Sequence, residues 1–513
     1  MMLLRRHCRN MKRYTERKMG STGYSGRNEI ALFIGAFLLY LAIVLVFQYW
    51  FVGDEGYYSV SIYEALKNGP NLYITFLGVP VFWKPFLMVD VYALMAGPLS
   101  GIPAQIAYRI PSVLFSAINV VLVYALAKEF VDEKKALLTS IVYALNPIIL
   151  IFGTKIFMET LAMTFIFAGM YATIALCKGK RWTLGVALAI IGAAFSKSTT
   201  IGLMGLLLYA AYAFFANRKK LGSVAVAGAV AALVVFLVPF LTHFPEAFFR
   251  LYWEDFFTRR INTNIYGENI FTTMASLLYL LPILLVSAQG INFKEWKNIF
   301  LLLWIIPLIP ILILTPYNWY AYYFVFPLVL IALKGISDNV LDKVMIFILV
   351  LVGAYIGYLN IYQAAEEPEM KTIEFIAHNI SKESCILFAG AINPMSYSYL
   401  EINGYKFNVA ITNVILANGT TRIYDANISQ EQLNKLVNDY ENANFVEGIT
   451  KKKYLFAYWN RFTPEIALKT ENYNCTKFDY VIVTDYYRKY NLTGYGLAME
   501  GDSIRIWKLT SKK

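Results

Sequence analysis

The chain carries little charge for its length. Of its 513 residues only 16% are Asp, Glu, Lys or Arg, against about 25% in an ordinary soluble domain, which argues against a water-soluble enzyme. Histidine is scarcer still. His7, His243 and His378 are the three present, too scattered for a Ser-His-Asp triad or a His-rich metal site. The four cysteines, Cys8, Cys177, Cys385 and Cys475, have no metal-ligand spacing, and only Cys385 and Cys475 share a soluble region, where one disulfide is allowed but not compelled. There is no Walker A loop, no GxGxxG after a strand and no HExxH. A catalytic base, if the chain has one, is therefore expected to be a carboxylate. Collagen-like, disordered and disulfide-framework classes are excluded by a hydrophobic content of 58%.

That hydrophobic content comes in blocks of about 20 residues, the length a helix needs to cross a bilayer. The first, near 30–52, lacks a small-residue cleavage site and reads as a signal anchor. Further blocks fall near 106–127, 136–152, 156–177, 182–196, 199–216, 222–243, 271–288, 298–315, 319–334 and 344–362. The expected fold is a polytopic α-helical membrane protein of eleven spans. Residues 1–28 form a basic cytoplasmic tail, 29–362 the transmembrane domain with a structured first outer loop at 53–105, and 363–513 an external soluble α/β domain. In that last part, β-rich runs at Cys385–Phe388, Lys406–Ile411, Tyr480–Thr484 and Ile504–Leu509 alternate with polar turns, and Ser429–Ala443 reads as a helix.

The formal charge of +12 does not indicate nucleic acid, because of where it sits. Residues 1–28 hold a net +7, whereas residues 363–513 hold 17 basic and 17 acidic side chains. With the N-terminus inside, the inner segments carry 21 Lys/Arg and the outer loops seven, a positive-inside pattern that places the C-terminal domain outside. Five N-x-S/T sequons, at Asn379, Asn418, Asn427, Asn474 and Asn491, fall in that domain and none in the membrane part.

The first outer loop opens with Gly53-Asp54-Glu55-Gly56-Tyr57-Tyr58 directly after the first span. Carboxylates at a membrane boundary are costly unless hydrated, paired or functional. The bland reading is an N-cap and a first-turn acid on a helix at Tyr58–Leu66 lying along the interface, with Tyr57, Tyr58 and Tyr63 at headgroup level. Phe82-Trp83-Lys84-Pro85 then sets one cation in an apolar surface; it is either a snorkelling lysine or a point charge for a lipid-linked phosphate. Arg109 opens the second span, Glu159 follows Lys155 by one helical turn, and Lys197 sits in Ser196-Lys197-Ser198 between two spans. Together these charges indicate a polar cavity facing outward. Arg250 and Arg259, in the loop at 243–269, are placed to close over it, or simply to lie on a solvated interfacial helix.

Asp54-Glu55-Gly56-Tyr57-Tyr58, then Lys84-Pro85, then Arg109-Ile110-Pro111-Ser112 resemble the GT-C superfamily of membrane glycosyltransferases. The similarity is to the branch of protein O-mannosyltransferases and aminoarabinose lipid A transferases (families 39 and 83), and it spans about residues 30–335. The resemblance implies a polyprenyl- or dolichyl-phosphate donor carrying a hexose or pentose. It also implies a protein, glycan or lipid acceptor at the external face, transfer with inversion, and no nucleic-acid partner. Asp54 then matches the catalytic loop carboxylate, with Glu55 beside it, and Lys84 the lysine at the donor phosphate, assisted by Lys197 or Arg109. Tyr57, Tyr58, Glu159, Arg250 and Arg259 would line the substrate cavity. The acidic groups leave room for a divalent metal without demanding one. The sequence departs from the family at Phe86, where a second proline is usual, and at Tyr320-Ala321, where Arg-Tyr is expected. External sequons suit an archaeal surface-glycan enzyme. The competing reading from the residues alone is a transporter or flippase of lipid-linked glycans.

Overall fold

A computed structural model describes residues 25–70, 74–77, 79–81, 85–241, 294–306, 321–335, 340–365, 368–390, 394–412, 414–415, 421–422, 431, 434, 449–451, 477–484, 492, 494–501 and 504–510. The segments 1–24 and 242–293 and the helix expected at Ser429–Ala443 lie, wholly or nearly so, outside these residues.

The membrane half is a helical bundle. Helix α1 (Ser25–Val46) starts before the apolar block, because Glu29 and Asn28 find partners at the far end of the bundle: Lys128 Nζ lies 2.8 Å from Glu29, and Asn28 Nδ2 donates to Glu133. After the first loop come α2 (Asp54–Asn68), a short antiparallel ladder of β1 (Ile74–Phe76) with β2 (Val79–Val81), and α3 (Leu87–Ala96). The bundle continues with α4 (Ile110–Ala127), α5 (Glu133–Ala144), α6 (Pro147–Gly153), α7 (Met158–Cys177), α8 (Thr183–Ser196), α9 (Thr199–Ala216), α10 (Leu221–Leu241), α11 (Trp296–Ile305), α12 (Tyr322–Gly335) and α13 (Val340–Ala365). Among the described residues four helices are long and apolar enough to cross a bilayer, five if the bent pair α5–α6 is one span. The protein is a multi-pass membrane protein. On α10 the two faces show it: Val224, Ala227 and Ala231 are buried, while Val226, Val230 and Leu233 stay exposed as a lipid-facing apolar stripe.

The block expected as one span at 136–152 is instead broken, with α5 and α6 meeting at 58°. Asn146 leaves the helix, its Oδ1 accepts from the Ile148 N–H at 3.0 Å, and Pro147 restarts the chain at the first helical position. Gly353 and Gly357 of α13 pack against this corner. A Cβ at Gly357 would lie 3.0 Å from Leu150 Cδ1, and one at Gly353 3.2 Å from Pro147 Cδ, a small-xxx-small contact of the kind that lets helices approach closely in membranes.

Beyond α13 the chain forms α14 (Pro368–Asn379), β3 (Cys385–Gly390), α15 (Pro394–Ile402), β4 (Lys406–Thr412), β5 (Ile449–Lys451), β6 (Tyr480–Thr484), β7 (Tyr495–Glu500) and β8 (Ile504–Leu509). These strands make one sheet in the order β5-β4-β3-β6-β8-β7. Strand β3 runs parallel to both β4 and β6, and the remaining pairs are antiparallel. Ile386, Phe388, Phe407, Val409, Ile482 and Ile506 are buried, and their cluster is continuous with Trp50, Phe51, Tyr57, Val60 and Ile62 of the first loop. Cys385 is disulfide-bonded, with its partner outside the described residues, and the sequon residue Asn379 is exposed.

This packing corrects one expectation. Helix α2 does not lie along a lipid interface. Helix α15 covers it, and Tyr57 and Tyr58 are 6% and 3% exposed. Tyr57 stacks on Phe76 with ring centroids 4.6 Å apart. The tail returns over the loop, and a local sequence pattern holds no record of that long-range contact.

Candidate active site

Gly53 makes the turn into α2 with φ +57 and ψ −126 and occupies the N-cap position. Asp54 is therefore the first helical residue and caps nothing. Its carboxylate, half-buried, makes no hydrogen bond or ion pair with any described residue. Glu55, one position on, is wholly buried.

Arg109 meets Glu55 as a fork. Its Nε donates to Glu55 Oε1 and its Nη2 to Oε2, both at 2.9 Å. The remaining N–H groups go to the carbonyls of Tyr49 (2.9 Å), Gln105 (3.3 Å) and Trp50 (3.4 Å). The guanidinium also lies over the Tyr49 ring at 4.3 Å. With five bonds made, it has no donor left over. Glu55 Oε1 accepts a further bond from the Ile156 N–H at 3.0 Å. Burial alone would lift the Glu55 carboxyl; Arg109, Lys155 and the Ile156 N–H outweigh it and hold the group below its usual range, so it stays ionised. The expected roles of Arg109 at a donor phosphate and of Glu55 at the reacting groups are revised by this placement: each is used up by the other and by backbone.

The α6–α7 corner that supplies Ile156 is itself held by a polar row on α4. Ser112 Oγ donates to the Lys155 carbonyl (2.6 Å), Ser116 Oγ to Gly153 (2.8 Å) and Asn119 Nδ2 to Thr160 (3.0 Å). These positions share one helix face. The Gly153 and Lys155 carbonyls are ones that the break between helices leaves open, and Thr160 lies in the first turn of α7. In the sequence they are small polar residues inside an apolar block, which is the only signal they give. Lys155 turns toward Tyr49, with Nζ 5.7 Å from the ring centroid, rather than toward Glu159.

Glu159 pairs instead with Lys197, Nζ to Oε1 at 2.7 Å, with side chains 1% and 15% exposed. Lys197 caps the C-terminus of α8. Phe195, just before it, packs on Phe86 with centroids 5.2 Å apart. That contact brings the Pro85-Phe86 segment to the Glu159–Lys197 pair. Lys84, Arg250 and Arg259 lie outside the described residues. The structure thus gathers Asp54, Glu55, Arg109, Glu159 and Lys197 at one end of the bundle. The basic segments Lys128, Lys178 and Lys297 gather at the other, around Glu29 and Glu129. Among the described residues no three His, Cys, Asp or Glu side chains stand together as metal ligands.

Residues 92–243 match the family model described as dolichyl-phosphate-mannose-protein mannosyltransferase. The match takes in Arg109, Glu159 and Lys197 and leaves Asp54 and Lys84 outside it. The fold is that of ArnT from Cupriavidus metallidurans. Its structure bound to undecaprenyl phosphate superposes with a TM-score of 0.61 at 11% identity, over 96% of this chain and 99% of that one. The apo form gives 0.59 at 12% identity, over 92% and 98%. No protein of curated function matches the sequence. The resemblance drawn from Asp54–Tyr58, Lys84-Pro85 and Arg109–Ser112, to GT-C membrane glycosyltransferases of the mannosyltransferase and ArnT type, is supported by both findings.

Proposed function

We propose that the protein transfers a sugar from a polyprenyl- or dolichyl-phosphate donor to a protein, glycan or lipid hydroxyl at the external membrane face, with inversion. The observation that carries the reading is the division of labour between adjacent carboxylates. Glu55 is fixed by Arg109 and the Ile156 N–H, and it holds the half-buried Asp54, whose carboxylate has no hydrogen bond or ion pair among the described residues, at the turn into α2. A base needs that combination of fixed position and free oxygen. The extent of the ArnT-like fold supports the lipid-phosphate donor, since the solved relative was crystallised with undecaprenyl phosphate. The external side is supported by the 21:7 charge bias, the exposed sequon residue Asn379 and the disulfide at Cys385.

In the reaction the acceptor oxygen attacks the anomeric carbon as Asp54 takes its proton. The bond from that carbon to the phosphate oxygen breaks, and its electron pair leaves with the lipid phosphate. Lys197, and Lys84 from the neighbouring Lys-Pro segment, offset the charge growing there. Glu159 keeps the Lys197 ammonium in place before the donor arrives.

The test is Asp54→Asn. Because Gly53 holds the N-cap, this change disturbs no cap and no described hydrogen bond. Folded yield, thermal stability and donor binding are expected to match the parent, while turnover with a polyprenyl-phosphate sugar falls by about 100-fold or more. Parent-rate turnover in the variant would remove Asp54 as the base, and a parent chain that moves no sugar at all would return the protein to the transporter reading.

A further inference from the structure

The C-terminal domain does more than cover the first loop. Four groups connect it to the carboxylates in an unbroken line. Ser398, on α15, is fixed by donating its hydroxyl to the Met395 carbonyl at 2.7 Å. Its oxygen accepts from the indole Nε1 of Trp50 at 2.8 Å. The Trp50 carbonyl accepts from Arg109 Nη2, and the neighbouring Tyr49 carbonyl from Nη1. Arg109 grips Glu55 with the other side of the same fork. Every member is buried: Trp50 is 8% exposed, Arg109 1%, Ser398 and Glu55 0%. Trp50 and Tyr399 meet edge to face at 5.1 Å, so the indole is clamped on its side as well as at its nitrogen.

Between α1 and α2 the Phe47 N–H still bonds the Ile43 carbonyl and the Val52 and Gly53 carbonyls accept from Glu55 and Gly56, but residues 48–51 are neither helix nor strand. Their backbone position is fixed by what their carbonyls and side chains meet. Arg109 holds the carbonyls from the membrane side. Trp50 Nε1 is a donor with no acceptor capacity, so in this buried place the Ser398 oxygen decides where the indole sits.

From this line we infer that Ser398 and Trp50 are positioning residues for transfer, acting through Arg109 and Glu55 to set the place of Asp54. The C-terminal domain is then part of the working enzyme rather than an appendage. The inference rests on the reading of Asp54 as the base.

The experiment uses the full chain in detergent or liposomes with a polyprenyl-phosphate sugar donor. It compares Ser398→Ala, Trp50→Phe, the double variant and, in parallel, Asp54→Asn. Phenylalanine keeps the ring packing against Tyr399 and deletes the indole N–H. Either single change is expected to lower kcat per folded molecule by about 3- to 10-fold, the effect of one neutral hydrogen bond, with the donor KM unchanged. The double variant is expected to lose no more than the worse single, because both changes delete the same contact. A purely structural bond would lower Tm or yield and leave kcat alone.

If Ser398→Ala and Trp50→Phe both keep parent kcat, or if their losses multiply in the double variant, the line is overturned while an inactive Asp54→Asn still upholds the base. If Asp54→Asn turns over normally, the base reading fails by itself. Amide exchange over residues 50–56 then decides the line: faster exchange in Ser398→Ala upholds the mechanical link, and unchanged exchange overturns it.

Discussion

Two ion pairs stand at the same end of the bundle and are built in opposite ways. In Glu55–Arg109 the guanidinium meets both carboxylate oxygens and three backbone carbonyls, and the side chains are 0% and 2% exposed. In Glu159–Lys197 a single oxygen meets a single ammonium at 2.7 Å, where α8 gives way to α9. Both Glu159 oxygens are buried and neither has a hydrogen bond among the described residues, so the pair is held by charge rather than by an aligned bond. A saturated fork specifies geometry and has nothing more to bind. A lysine is a mobile point charge that can turn to a second partner. The first pair is architecture; on the proposed reading the second is where the donor's charge acts.

The largest expected effect tests the first half of that contrast. Arg109→Ala leaves Glu55 ionised, buried and unpaired, and opens the carbonyls of Tyr49, Trp50 and Gln105. Removing one partner of a buried pair costs about 3–5 kcal/mol, which should appear as a large fall in thermal stability or loss of folded protein. Arg109→Lys should recover little of it, since an ammonium cannot fork. Parent-like stability in Arg109→Ala would mean that Glu55 is reached by water and that the clamp is not structural.

A smaller stability effect, with a binding effect beside it, is expected at the second pair. Lys197→Ala should weaken binding of polyprenyl phosphate by roughly 10- to 150-fold, the effect of losing a charge-assisted contact worth about 1.5–3 kcal/mol. Its thermal shift should be smaller than that of Arg109→Ala. If lipid-phosphate affinity is unchanged and the stability loss equals that of Arg109→Ala, Glu159–Lys197 is a second clamp and the contrast disappears.

The sequence showed the helical class, the strands and the position of the charges, because each depends on local pattern. The β-rich runs at 385–388, 406–411, 480–484 and 504–509 became β3, β4, β6 and β8 with ends moved by two residues at most. Which charges pair was not legible. Lys155 and Glu159 have helical spacing, yet a break at Gly153–Phe157 turns Lys155 toward Tyr49 and leaves Glu159 to Lys197. Arg109 looked like a phosphate ligand because a lone arginine at the start of a span looks the same whether it faces a ligand or a buried glutamate. The division between Asp54 and Glu55 was also hidden, since it depends on a turn whose handedness no hydropathy pattern records. Ser398 lies so far along the chain from Trp50 that no local signal could join them.

That turn supplies the smallest and cleanest test. Gly53 has φ +57 and ψ −126, and no atom lies within 4 Å of where a Cβ would stand. The space is open, so any penalty for a side chain must be conformational. An L-residue held in this sparsely populated region costs about 1–3 kcal/mol. Alanine would relieve that strain by rotating the turn, which carries Asp54 away from its fixed position while the Arg109 fork holds Glu55. Gly53→Ala should therefore lower Tm modestly and lower kcat as well, with donor binding little changed. Asparagine is larger than alanine but adopts positive φ at turns of this kind more readily. Gly53→Asn should consequently do less damage than Gly53→Ala in both measurements. A steric account predicts the reverse order. If Ala matches Gly, or Asn proves worse than Ala, the backbone at Gly53 does not set the two carboxylates apart, and the rigid placement of Asp54 must come from the Glu55 clamp alone.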